Sequence, residues 1–235
     1  MVHTLYADDL KTHCSSNSMR DRELLQSAIN AVATWCKENH MSISITKCAI
    51  LSSNGNDFIY KLNDTPIPRK LSMRDLGVVV SPNLNFDIHI AEVVRAANAV
   101  CNTIFRCFVV KKVGFYITLY NSLVVPKYLY CSEVWRPYLK KHTEALDQVQ
   151  NRFVRRVSRR CGVPRESIVL KPIRELHDEA DRRMVTKLSK LNTIDRFLDI
   201  RLNTLRSSQT VRALAVAKTD RINNMFAWRV SRLLH

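Results

Sequence analysis

The stretch Val2-His3-Thr4-Leu5-Tyr6-Ala7-Asp8-Asp9-Leu10-Lys11-Thr12-His13-Cys14 decides how the rest of the sequence is read. Val2 to Tyr6 is β-branched and aromatic, Ala7-Asp8-Asp9 interrupts it, and Leu10 to Cys14 resumes an extended pattern. The segment predicts a β-hairpin with two carboxylates at its tip. After a polar turn from Ser15 to Ser18, the residues Leu24, Leu25, Ile29, Val32, Ala33 and Trp35-Cys36 recur at steps of three and four. That spacing predicts an amphipathic helix over Asp21 to Asn39, with Asp21 and Glu23 at the end where acidic side chains are favoured. Ile43 to Thr46 alternates as a strand running on through Lys47 to Leu51, and Phe58 to Leu62 and Leu76 to Val80 read as further strands. Residues 1–86 are thus expected to form a βαβββ-like α+β unit.

Beyond Pro82 the pattern turns helical. Ile90, Val93, Val94, Ala97, Val100, Cys101, Ile104, Phe105 and Phe108 hold one apolar stripe along a long helix. A second helix is expected within Phe115 to Val125, ended by Pro126, with the aromatic stretch Tyr128 to Trp135 after it. A third runs from about His142 to Arg160, with Leu146, Val149, Phe153 and Val157 on one side and Arg152, Arg155, Arg156, Arg159 and Arg160 on the neighbouring arc. Pro164 to His235 holds basic helical segments such as Asp178 to Leu191 and Arg221 to Leu234. Three parts are expected: 1–86, 87–160 and a basic helical extension over 161–235.

Charge obeys the same division. The 235 residues carry 37 Lys and Arg against 21 Asp and Glu, a formal net charge of +16. Residues 1 to 86 hold 9 basic and 8 acidic side chains, whereas residues 87 to 235 hold 28 and 13. Nearly the whole excess lies in the helical part, which points that part toward a polyanion, nucleic acid first and an anionic membrane surface second. The membrane alternative is weak, because the basic helices carry core-like apolar stripes and no lipidation signal.

Composition excludes other classes. With 46% hydrophobic and 25% charged residues the chain is neither disordered nor a membrane span. No signal-like leader opens it and no run approaches the roughly 18 apolar residues of a spanning helix, so an intracellular, unsecreted protein is expected. Seven cysteines without a C-x-x-C pair or zinc-ligand histidine spacing read as buried thiols in a reducing compartment. Four glycines and no repeat argue against a glycine-rich phosphate loop or a solenoid.

The adjacent carboxylates are the feature that reads as chemistry. Consecutive strand residues point to opposite faces, so one of the two reaches a given site. Carboxylate oxygens suit hard cations such as Mg²⁺, and a two-metal nucleotidyl-transfer site uses them to bridge the ions. Taken alone, an Asp-Asp pair in a turn is usually turn chemistry and solvation.

The order of the segments beyond the pair separates these readings. Tyr6-Ala7-Asp8-Asp9 with Leu10 after it resembles the Y-A-D-D box of reverse transcriptases. Trp35 to Asn39 and Met41 to Cys48 look like the helix and lysine-bearing strand that come after that box in non-LTR (LINE-type) retrotransposon enzymes. Arg74-Asp75-Leu76-Gly77-Val78, with Ser81, Leu84, Phe86 and His89-Ile90, resembles the segment leading from their palm into the thumb. Leu123 to Pro126, Tyr130-Cys131-Ser132, Val134-Trp135 with Pro137, and then Leu146, Val149-Gln150, Phe153 and Arg155-Arg156 continue the same pattern in the same order. The resemblance covers roughly residues 2 to 160.

It implies a partial reverse-transcriptase palm, an antiparallel sheet plus helix, leading into a helical thumb. Asp8 would be a Mg²⁺ ligand in a two-metal site, supported by Asp9 from the opposite strand face. Lys47 would complete the catalytic set beside the departing pyrophosphate, the alternative being a solvated lysine at a strand end. Ser44 stands where many relatives have Asn. Arg74 would lie near the primer terminus with Asp75, the alternative being a surface ion pair. Arg95, Arg152, Arg155, Arg156, Arg159 and Arg160 would hold an RNA template in an RNA–DNA or DNA duplex through its phosphates. Tyr128, Tyr130 and Trp135 read instead as core.

In this family a third carboxylate, the nucleotide-selecting segments and the template clamp lie upstream of the Y-A-D-D box. The sequence is therefore expected to be the C-terminal part of an RNA-directed DNA polymerase, a truncated element copy or an incomplete gene reading. It is expected to be inactive by itself, to take dNTP only within the full enzyme, and to need no organic cofactor. The alternative is a non-catalytic nucleic-acid-binding remnant of a retroelement.

Overall fold

In the computed structural model, residues 1–14, 18–52 and 57–191 are described. They form an α+β protein of small antiparallel sheets and helices, divided into two compact units, Met1–Asn85 and Phe86–His235.

The first unit opens with β1 (Val2–Tyr6) and β2 (Asp9–His13), an antiparallel hairpin in which Tyr6 lies opposite Asp9 and Leu5 opposite Leu10. Helix α1 (Met19–Glu38) comes next. Its N-cap is a capping box: the Ser18 hydroxyl accepts from the Asp21 amide and the Asp21 carboxylate accepts from the Ser18 amide, each at 3.1 Å. These bonds from Ser18 hold the Asp21 carboxyl below its ordinary pKa. Two further hairpins complete the unit, β3 (Lys61–Leu62) with β4 (Thr65–Pro66), and β5 (Met73–Asp75) with β6 (Val78–Val80). Asn63-Asp64 and Leu76-Gly77, all at positive φ, form their two-residue turns, the backbone pattern whose twist matches paired strands.

Three two-stranded sheets therefore stand where the sequence suggests a single sheet. The strand expected from Ile43 to Leu51 is absent. The Ser44 hydroxyl lies 3.0 Å from that of Thr46, and the amides of Lys47 and Cys48 donate to the Ser44 carbonyl. A local hydroxyl turn has outcompeted β-propensity, and only Ile50 pairs onward, with Arg69. Phe58 to Leu62 shrinks to β3, and Leu76 to Val80 splits into a turn and β6.

The second unit is built on α2 (Asp87–Cys107) and α6 (Lys140–Cys161). The stripe Ile90, Val93, Ala97, Cys101, Ile104 and Phe105 of α2 is buried, as are Leu146, Val149, Phe153 and Val157 of α6, which is what apolar residues at steps of three and four require. Between them lie α3 (Val113–Leu119), a π-helical turn over Tyr120–Val124, α4 (Val125–Leu129) and α5 (Ser132–Trp135). Pro126 does not end the helical path as expected. It follows on the π-helical turn, in which the Val125 amide reaches back to the Tyr120 carbonyl, and this wider turn lets the helix run on past a residue that has no N–H. Tyr128 and Trp135 are buried core residues, while Tyr130 is exposed. The Trp135 indole N–H donates to the Tyr130 carbonyl at 2.7 Å, and its ring packs edge-on against His89 and His177.

Helix α7 (Ile173–Lys190) closes the described chain. Arg136 forks onto it, one nitrogen 2.7 Å from Asp178 and the other 2.9 Å from Asp181, whose side chain is 1% exposed. The helix expected over Arg221 to Leu234 lies outside the described residues. The cysteines depart from the expectation of uniformly buried thiols. All seven are free, but only Cys36 and Cys101 are buried and Cys107 is exposed. Burial pushes the Cys101 thiol up to about 11. No helix among the described residues is long and apolar enough to cross a membrane.

Candidate functional site

Asp8 and Asp9 sit where the first hairpin turns. Ala7 and Asp8 form the two-residue connection, and Asp9 opens β2. Ala7 has φ 51°, the single positive φ of this turn, a position that glycine fills without strain and that costs alanine on the order of 1 kcal/mol. The strain is the cost of so tight a turn, and the carboxylates of Asp8 within it and Asp9 beside it are both exposed.

As oxygen donors the pair suits Mg²⁺ in kind. In number it falls short, because among the described residues no group of three His, Cys, Asp or Glu side chains is placed to hold a metal ion. A two-ion site needs a further bridging carboxylate, so the two carboxylates of this hairpin do not by themselves make one.

Lys47 is exposed within the Ser44–Cys48 turn, and no hydrogen bond or ion pair among the described residues joins it to Asp8 or Asp9. The Arg74 Nη1 donates to the Gly77 carbonyl at 3.2 Å, bracing its own turn, while Asp75 pairs with Lys11 of β2. That last contact, between residues far apart in sequence, has no local signal.

On α6 the five arginines divide into two sets. Arg152, Arg155 and Arg159, at spacings of three and four, are exposed along one face. Arg152 donates to the Gln148 side chain and Arg155 to the Asn151 carbonyl, both within the helix, and their guanidinium groups remain at the surface. Arg156 and Arg160 turn toward α2. The Arg156 guanidinium stacks 4.2 Å from the Phe105 ring centroid and donates to Asn102 at 2.5 Å. Arg160 donates to the Phe105 carbonyl at 2.8 Å and to the Phe108 carbonyl, satisfying acceptors that the end of α2 leaves without helical partners. Arg95 is exposed on α2. A helical wheel places all five α6 arginines on one arc, and it cannot show which of them meet α2.

Fold and site together define an α+β protein with a strained carboxylate hairpin and a separate basic helical unit. Over 95 residues it is 36% identical to an uncharacterized protein of Caenorhabditis elegans, a match covering 40% of this chain and 48% of that protein. The chain thus spans about half the length of the relative it matches. No family model matches the sequence, and no solved structure matches it.

Proposed function

We propose that this sequence is the C-terminal part of the reverse transcriptase of a non-LTR (LINE-type) retrotransposon. Residues 1–86 carry part of its palm with the metal-binding Y-A-D-D hairpin, and residues 87–160 carry a thumb that grips the template–primer duplex. The observation that supports this best is the hairpin itself. Tyr6-Ala7-Asp8-Asp9 forms a two-residue turn that exposes both carboxylates, the presentation a two-metal polymerase requires of such a box. The exposed row Arg152, Arg155 and Arg159 supports the thumb assignment, since cations at that spacing meet successive phosphates without reading sequence.

Polymerisation needs a third carboxylate beside the hairpin, and among the described residues none is placed with Asp8 and Asp9 to complete a metal site, so the chain by itself is proposed to be inactive. Primer extension on an RNA template with Mg²⁺ or Mn²⁺ tests this. The chain alone is expected to give no synthesis. Joined to a polypeptide supplying the upstream palm strand and fingers, it is expected to extend the primer, and Asp8→Asn to reduce extension by at least about a thousandfold. Template-dependent synthesis by the chain alone, or full activity in Asp8→Asn, would contradict the proposal. A second reading, a nucleic-acid-binding remnant without catalysis, is favoured by the two-carboxylate donor set. It predicts hybrid binding together with no extension even after joining.

A further inference from the structure

Two hairpins of the first unit meet through charge. Lys11, on β2, forms an ion pair with Asp75, the last residue of β5 before the Leu76–Gly77 turn. The two side chains are 28% and 32% exposed, and the Asp75 oxygen that faces Lys11 is itself shut off from water. Less solvent screens this pair than a fully exposed one.

The strand register shows what the pair controls. Tyr6 lies opposite Asp9 and Thr4 opposite Lys11, so Tyr6, Asp9 and Lys11 share one face of the hairpin, while Leu5 and Leu10 share the other. Asp75 lies opposite Val78 at the closed end of its own hairpin. The ion pair therefore ties the carboxylate hairpin, two residues from Asp9, to the tip of the β5–β6 hairpin. Such an anchor is needed. β1 and β2 form a sheet of only two strands and every residue of β1 is exposed, an arrangement that is marginally stable in water by itself.

We propose that Lys11 and Asp75 are positioning residues whose ion pair seats the carboxylate hairpin on the β5–β6 hairpin and so fixes the direction in which the Asp8–Asp9 turn points. The importance of that direction for metal binding rests on the polymerase reading above; the seating does not.

Hydrogen–deuterium exchange of the full chain tests it, in EDTA and without nucleic acid. In Lys11→Met and in Asp75→Asn, the paired amides of β1 and β2 should exchange about fivefold faster than in the native chain. The α1 amides, unchanged, report that the first unit is still folded in the variants. Lys11→Arg should keep native exchange, and the reversed pair, Lys11→Asp with Asp75→Lys, should recover most of the protection. Unchanged exchange in both single variants, or a reversed pair no slower than either, would overturn the proposal. Because the assay contains neither metal nor template, its outcome is independent of primer extension, and either reading can fail without the other.

Discussion

The two units spend their apolar residues in opposite ways. Among the described residues, the helical unit buries nineteen apolar side chains, including Trp135, Tyr116, Phe153 and Val157 at 1% exposure or less. The first unit buries five, Cys36, Tyr60, Leu62, Val78 and Val79, and leaves Val2, Leu5, Tyr6, Leu24, Trp35 and Leu71 at least half exposed. One unit is held by a close-packed interior. The other is held by local devices: two-residue turns, a capping box and an ion pair. A hairpin of two strands needs neighbouring strands to bury its faces, whereas α2 and α6 cover each other.

The contrast can be broken most forcefully by removing one side chain from each unit. Phe153→Ala, which vacates a site 1% exposed against Phe105 and Tyr120, should cost the helical unit about 4 kcal/mol in chemical denaturation monitored by circular dichroism. Leu5→Ala on the hairpin, where the side chain is 71% exposed, should cost less than about 0.5 kcal/mol. Equal losses would erase the distinction. Next in size, Arg136→Met leaves the buried Asp181 carboxylate without its arginine and should cost about 3 kcal/mol in the same experiment. Adding Asp178→Asn and Asp181→Asn should recover part of that loss.

In the first unit the comparable lever is a cap. Ser18→Ala should cost α1 about 1 kcal/mol, read from the exchange of its first-turn amides. The Asp21 carboxyl is held below its ordinary value by the Ser18 bonds, so the protection it gives is complete above the ordinary value of 3.8 and is lost as pH falls below it. The alanine variant should show a weaker acid dependence in the same range.

Much of this architecture is legible in the sequence wherever a periodic pattern is long. The helices α1, α2 and α6 come from apolar steps of three and four, and the first hairpin from two β-branched arms around Ala7-Asp8-Asp9. Short or competing signals fail. Ile43 to Thr46 alternates like a strand, but Ser44 and Thr46 satisfy the backbone locally, and Pro126 reads as a stop although the π-helical turn before it lets the helix run on. The site divides likewise. The carboxylate pair and the arginine row are visible as residue types at fixed spacing. That Arg160 caps α2, or that Lys11 meets Asp75, depends on partners brought close by the fold and leaves no local pattern to read.

Under the function proposed above, the basic helical unit would hold a nucleic-acid duplex through the exposed face of α6 that carries Arg152, Arg155 and Arg159. The most direct test is the salt dependence of RNA–DNA hybrid binding by the 235-residue chain and by Arg152→Ala, Arg155→Ala and Arg159→Ala combined. Affinity should fall steeply with salt for the native chain, and the triple variant should bind more weakly with a log–log slope shallower by about 2 to 3. An unchanged slope in a triple variant that keeps its native helical content would contradict it.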